Sequence, residues 1–184
     1  MGGYFLEHNN FIPADPLKTP SHIAPVWYFT PYYSVLRATT DELKWVIGIA
    51  VVLFMVWALV RRRGNTARML QLGVGVVLLA LLVVLEAKVW GVLLMGASVV
   101  VFAFLPWLDR SPVKSIRYKG WMYKLALTLF VIAFIVLGYL GMQVPTPTAT
   151  RIAQVATIIY FAFFLLMPWY TSIDKTEQPP ERVT

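Results

Sequence analysis

The sequence contains no cysteine, which removes disulfide frameworks, cysteine-ligated zinc and iron–sulfur clusters. It has only two histidines, His8 and His22, so histidine-based metal or haem chemistry has little to work with. Charge is scarce too: Asp, Glu, Lys and Arg make up 14% of the 184 residues, against about 25% in an ordinary soluble domain. There is no Gly-rich phosphate loop, nucleophile elbow or internal repeat. The N-terminus has neither the basic n-region nor the apolar h-region of a signal peptide. What is present is apolar: 59% of residues are hydrophobic, and the mean hydropathy is +0.68. A soluble globule, a disordered tail and a nucleic-acid-binding domain are excluded as first readings. The net charge of +7 then becomes a question of which side of a bilayer it occupies.

Five apolar runs fall near the ~20 residues a helix needs to cross a hydrocarbon core. They are Trp45–Val60, Met69–Leu85, Val89–Leu108, Leu125–Met142 and Ile152–Tyr170. The fold class is therefore all-α, a polytopic transmembrane helix bundle of about five spans in a lipid bilayer. The first two runs are short, and Lys44, Arg61 and Arg68 could lengthen them by snorkelling. Only Glu86, Ala87 and Lys88 part the second from the third. Unbroken, Met69–Leu108 would form a helix of about 60 Å at 1.5 Å per residue. A charge at mid-bilayer costs about 2.5–3.5 kcal/mol on lenient scales. A turn is expected at Glu86–Lys88, although it holds neither Gly nor Pro. Gly73, Gly75, Gly96, Gly138 and Gly141 read as helix-packing positions.

With five spans the loops alternate sides. Eleven basic residues fall on one side: Arg61, Arg62, Arg63, Arg68, Arg110, Lys114, Arg117, Lys119, Lys124, Lys175 and Arg182. Five fall on the other: Lys18, Arg37, Lys44, Lys88 and Arg151. The positive-inside rule puts the N-terminal segment outside and the C-terminus in the cytoplasm. Residues 171–184 read as a mobile polar tail.

Ahead of the first span, residues 11–37 hold Pro13, Pro16, Pro20, Pro25 and Pro31. Prolines fix φ and cannot donate a backbone hydrogen bond, so this stretch should be a rigid irregular loop. Its end, Trp27 to Leu36, is aromatic and apolar and suits a helix lying in the membrane interface. The four segments are thus 1–44, an outer Pro-rich loop and interfacial helix; 45–88, a transmembrane hairpin; 89–170, three further spans; and 171–184, the tail. A chain that opens on the outer face without a targeting segment looks like the second half of something. On composition alone, a non-catalytic anchor is as good a reading as a catalytic subunit. A transporter would need an ionisable group within the spans, and the sequence has none there.

The loop reads Pro13-Ala14-Asp15-Pro16, then Thr19-Pro20-Ser21-His22-Ile23-Ala24-Pro25-Val26-Trp27-Tyr28-Phe29, then Leu36-Arg37-Ala38. This resembles the quinol-oxidising loop of cytochrome b, the membrane core of ubiquinol–cytochrome c reductase, in its proteobacterial form. Leu105-Pro106-Trp107-Leu108-Asp109-Arg110-Ser111-Pro112 is similar to the family's cytoplasmic loop between its sixth and seventh helices. Ile152–Pro168, with Gln154, Thr157 and Tyr160, is similar to its last helix. The blocks occur in family order and cover most of the chain.

Three departures stand out. The family's two b haems take four histidines from an N-terminal four-helix bundle, and bis-histidine ligation of two haems needs that many. This chain has two histidines, so no metal or haem is expected on it, and both haems belong to an N-terminal half. Second, Val26 stands where the family has a glutamate that is thought to take a proton from quinol. Valine cannot act as a base; His22, Glu42, Glu86 or a carboxylate of the N-terminal half could. The competing reading of His22 is an ordinary loop histidine bonded to backbone. Third, roughly forty residues separate the Leu-Arg-Ala run from Trp90-Gly91-Val92-Leu93, where the family's next helix begins. A packing hairpin is the plain reading of this insertion. An anionic-lipid site on Arg61–Arg63 is the sharper one.

The resemblance implies that ubiquinol binds at the outer side. Ile23, Pro25, Val26, Trp27, Tyr28, Phe29 and Tyr33 would line the site, with Met95 and Val99 facing the ring from the third span. Tyr28 and His22 would be the catalytic candidates. An aromatic membrane-interface belt is the competing reading of these rings. The implied partners are the haem-binding half of cytochrome b, a Rieske iron–sulfur subunit and a c-type cytochrome, in a dimeric complex of the bacterial inner membrane.

Overall fold

In a computed structural model, residues 11, 13, 15–17, 23–60 and 64–177 are described. They form helices α1 (Thr30–Ala38), α2 (Asp41–Val60), α3 (Asn65–Val84), α4 (Ala87–Val100), α5 (Leu105–Leu108), α6 (Trp121–Met142), α7 (Pro147–Leu165) and α8 (Met167–Ile173). A 3-10 turn, Val101–Phe104, joins α4 to α5, so Ala87–Leu108 makes one span. Among the described residues, five helical segments are long and apolar enough to cross a membrane: Asp41–Val60, Asn65–Val84, Ala87–Leu108, Trp121–Met142 and Pro147–Leu165. The chain is a multi-pass helical membrane protein.

The boundaries differ from the sequence expectation in instructive ways. The first two spans are not short. Each has 20 residues because the helices run on through Asp41–Lys44 and Asn65–Arg68. Asp41 and Glu42 sit in the first turn of α2, where carboxylates favour the positive helix end. The last span starts earlier and ends earlier, at Pro147 and Leu165. Thr146 caps it, its hydroxyl accepting from the Ala149 amide at 3.2 Å, and Pro147 takes the first position. It stops because Pro168 cannot donate to the ladder and crowds the preceding turn, so Met167–Ile173 forms a separate short helix.

The turn at Glu86–Lys88 is present without Gly or Pro. Leu85 and Glu86 are simply extended, with ψ of 139° and 156°. Lys44 Nζ reaches across the hairpin and donates to the Leu85 carbonyl at 2.7 Å, satisfying the end of α3.

The core lies among α1, α4, α6 and α7. Phe130 of α6 packs its ring against Phe163 at 4.7 Å, Tyr160 at 5.1 Å and Phe164 at 5.4 Å. Phe102 closes on Phe164 from the α4 side at 5.2 Å. Tyr160 and Phe164 are fully buried, with Leu137, Val35 and Met167. The α2–α3 hairpin stands apart. It buries only Leu43 and Ala58 from α2, and Gly75 and Leu82 from α3.

Of the five glycines expected to pack helices, three do. A Cβ on Gly75 would meet Met55 at 2.5 Å, one on Gly138 would touch Pro31, and one on Gly141 would run into the Thr30 carbonyl. Gly73 and Gly96 have nothing within 4 Å.

The expected mobile tail from Thr171 is instead packed as far as Glu177. Thr171 is buried, and its hydroxyl accepts from the Arg110 amide at 3.1 Å. Asp174 caps the start of α6, accepting from the Tyr123 amide at 3.1 Å. Gly120 lets it approach, since a Cβ there would collide with the Asp174 carboxylate and the Lys175 carbonyl. Glu177 donates its amide to the Tyr118 carbonyl at 2.8 Å. Residues 178–184 lie outside the described residues.

Candidate functional site

The candidate loop ends in a turn and enters α1. The Phe29 amide donates to the Val26 carbonyl at 2.8 Å, and the Thr30 hydroxyl donates to the Trp27 carbonyl at 2.7 Å. Pro31 then occupies an early position of α1, where its missing N–H is harmless. This turn presents Val26, Trp27 and Tyr28 outward. Tyr28 is 60% exposed and Trp27 58%, their rings meeting edge to face at 5.7 Å. Ile23 is exposed and Pro25 half-buried. Phe29 is half-buried, 6.0 Å from the Tyr32 ring, which reaches on to Phe134 of α6 at 6.1 Å.

The helix expected to lie in the membrane interface packs against the protein itself. α1 lies across the end of the bundle where α6 stops and α4 and α7 begin. Its Thr30 carbonyl seats on Gly141, and its Leu36 carbonyl lies 2.8 Å from where a Gly91 Cβ would be. Thr30, Pro31, Ser34, Val35 and Ala38 are buried in these contacts. Just beyond α1, Gln154 Nε2 of α7 donates to the Thr40 hydroxyl at 2.8 Å. Backbone-to-backbone approach of this kind needs residues without a Cβ. The turn bearing Trp27 and Tyr28 is therefore mounted on a clamped helix.

The structure does not gather every sequence candidate at that turn. Tyr33 belongs to a different contact: the Arg37 guanidinium lies 5.6 Å from its ring, and Arg37 also donates to the Gln143 carbonyl at 2.9 Å. Met95 is half-buried on α4, and Val99, one turn deeper, is exposed. Between them Ser98 is buried, its carbonyl accepting from the Tyr160 hydroxyl at 2.6 Å. Glu42 and Glu86 sit at the hairpin's end: Glu42 in the first turn of α2, and Glu86 as the residue before α4, lining a cleft of about 360 Å³ with Asp41, Lys44 and Lys88. His22 and Arg61–Arg63 lie outside the described residues. Among the described residues, no three His, Cys, Asp or Glu side chains converge in a way that could hold a metal ion.

Sequence reasoning missed the positioning elements. Gly91 and Gln154 hold α1 and its exit in place, yet neither carries a local signal for this. Arg37 stands out in the sequence as one of the outer-side cations and as part of the Leu-Arg-Ala run, and neither shows its contact with Tyr33.

The family model described as "Cytochrome b(C-terminal)/b6/petD" matches residues 13–85 and 75–161. Cytochrome b of Allochromatium vinosum is 41% identical over the whole chain, which spans 34% of that protein. Cytochrome b of Cereibacter sphaeroides is 34% identical over the whole chain, which spans 35% of it. A solved structure, "Hyperthermophilic respiratory Complex III", superposes with a TM-score of 0.62 at 27% identity, over 94% of this chain and 32% of that one. The chain thus spans about a third of the length of the curated relatives it matches. Helix count, motif order and these matches agree, and the chain belongs to the cytochrome b C-terminal family.

Proposed function

We propose that the chain forms one wall of the outer-side ubiquinol oxidation site of a respiratory quinol–cytochrome c reductase. The observation that carries this is the exposed Val26–Tyr28 turn on a helix locked to the bundle. Flat aromatic and aliphatic walls with few polar groups suit a quinone ring. An interfacial aromatic belt alone gives no reason for the backbone clamps at Gly91 and Gly141. The exposed rings need a facing wall, and an N-terminal half of cytochrome b would supply it.

In this reading both b haems reside in that half and none is ligated by this chain. One electron from ubiquinol goes to a Rieske iron–sulfur subunit at the outer surface, the other to haem. A c-type cytochrome accepts onward from the Rieske centre, and the complex is dimeric. The protons leave on the periplasmic side. The chain sits in the bacterial inner membrane with the α1 end periplasmic and the C-terminus cytoplasmic. Supporting this orientation, Arg110, Lys114, Arg117 and Lys119 fall between α5 and α6 and Lys124 in the first turn of α6, at the far end from α1.

Val26 favours a second reading. A site without the loop carboxylate lacks a base in the family position, and a non-catalytic anchor or assembly subunit would tolerate that. Tyr28→Ala in the assembled complex separates the two. It should slow quinol oxidation about tenfold or more with haem content unchanged. Normal turnover in a fully assembled Tyr28→Ala complex would remove the site assignment and leave the anchor.

A further inference from the structure

A groove between α6 and α7 takes no part in the site above. It encloses about 380 Å³, walled by Leu129, Ile132 and Val136 of α6 and by Val155 and Ile159 of α7. Every lining side chain is aliphatic except Arg151, at one end. The helices are antiparallel there: Arg151 lies near the start of α7 and Val136 near the finish of α6. From Arg151 to Ile159 the groove runs about 12 Å at 1.5 Å per residue. That is close to half of a hydrocarbon core of about 30 Å, the depth of one leaflet.

Arg151 is exposed, and no ion pair among the described residues includes it. The α6–α7 connection and the first turn of α7, residues 143–150, contain no Asp or Glu. A cation without a carboxylate thus stands at the water-facing mouth of an apolar cleft one leaflet deep. An acyl chain meets the walls, and a phosphate meets the guanidinium in its preferred two-pronged geometry. A partner's transmembrane helix is a poorer match. It would run the full span past a half-depth cleft and bury the arginine against apolar side chains.

We propose that this groove seats one anionic phospholipid, an acyl chain between α6 and α7 and its phosphate on Arg151. The site is independent of quinol chemistry. It tethers α6 to α7 at the end where α1 docks.

The test uses the full chain, extracted from membranes in mild detergent, delipidated and titrated with phosphatidylglycerol under native mass spectrometry. One saturable adduct is expected. Arg151→Gln should weaken it about tenfold, while Arg151→Lys keeps most of it. Val155→Trp should abolish it by filling the cleft, with helical circular dichroism unchanged. Binding by Arg151→Gln and Val155→Trp equal to that of the parent chain would overturn the proposal. A second measurement does not depend on those variants folding. Because the chain has no cysteine, Val155→Cys gives a single attachment point in native membranes. Cross-linking of that cysteine to another protein would also overturn the proposal, by giving the groove to a helix. Reaction with a lipid-borne maleimide alone would support it.

Discussion

The α2–α3 hairpin and the α4–α6–α7 bundle are built from similar apolar helices, yet they pack very differently. In each hairpin helix 11% of an apolar 18-residue stretch is buried within the protein, against 17% in the α4–α5 and α6 spans and 33% in α7. The most buried span is also tied to its neighbours through polar side chains. Gln154 bonds to Thr40, and Tyr160 bonds to the Ser98 carbonyl. Lipid tails are as apolar as leucine, so apolar surface alone inserts a helix but does not choose its neighbour. Close backbone contact and interhelical hydrogen bonds do. The hairpin has one such close contact, Gly75 on Met55. The bundle has a set: Gly91, Gly138 and Gly141 beneath α1, the Phe130 ring cluster, and Tyr160.

The largest expected effect comes from attacking that set. Gly141→Leu drives a side chain into the Thr30 carbonyl, backbone that cannot step aside. It should displace α1 and cost about 1–3 kcal/mol or more, read as earlier unfolding in a detergent titration. Gly96→Leu has nothing within 4 Å and should stay within about 0.5 kcal/mol. If the two variants behave alike, α1 is not clamped as described.

Next is Asp174→Ala, which strips the cap from α6. Asp174 accepts from the Tyr123 amide, and losing such a cap costs about 1 kcal/mol, with a range of about 0.5–2. Amide exchange should speed up in the first turn of α6 and leave α7 unchanged. Protection that stays the same throughout α6 would mean water caps that end equally well.

A smaller loss is expected for Tyr160→Phe, which keeps the ring in the aromatic cluster and deletes the bond to Ser98. Interhelical bonds of this type in membranes average about 0.6 kcal/mol. The same change at Tyr139, which is 60% exposed on α6, should do nothing measurable. Equal effects at the two tyrosines would place the stabilisation in the rings rather than in the bond.

These residues mark what was legible in the sequence. The five spans and the Glu86–Lys88 turn were, because run length and charge report directly on the bilayer. The motif blocks in family order identified the chain. The role of α1 was not: its amphipathic pattern fits a lipid interface as well as a protein end. What decides between them is Gly91 and Gly141, lying 55 and 105 residues after Leu36, and no local period encodes that distance. Asp174 was hidden for the same reason, a polar residue in a polar tail until α6 is placed beside it. The pairing of Tyr33 with Arg37 was not legible either, since the motif gives their order and not their contact.

The smallest effect should come from the largest deletion. α1 leads into the hairpin at Thr40, and the hairpin returns at Ala87, the start of α4. These two points are close, because the Thr39 Cβ lies 3.5 Å from where a Gly91 Cβ would stand, one turn into α4. A short Gly-Ser link can therefore replace residues 41–86. The Lys44 bond to Leu85 leaves with the hairpin, since both ends belong to it. The Glu86 carbonyl, which accepts from the Val89 and Trp90 amides at 3.1 and 3.2 Å, is replaced by a carbonyl of the link, and the side-chain bond from Trp90 Nε1 to the Leu81 carbonyl, at 3.3 Å, is lost. That indole sits in the first turn of α4, where water can replace the carbonyl. The shortened chain should keep the bundle's stability to within about 0.5 kcal/mol, and α1 should remain docked, as read from a label at Ser34 against one at Leu140. Undocking of α1 would make the hairpin part of the site's support and end its reading as an insertion. Retention would mean that the few contacts joining the two regions carry no load, as expected where apolar helices meet lipid in place of each other.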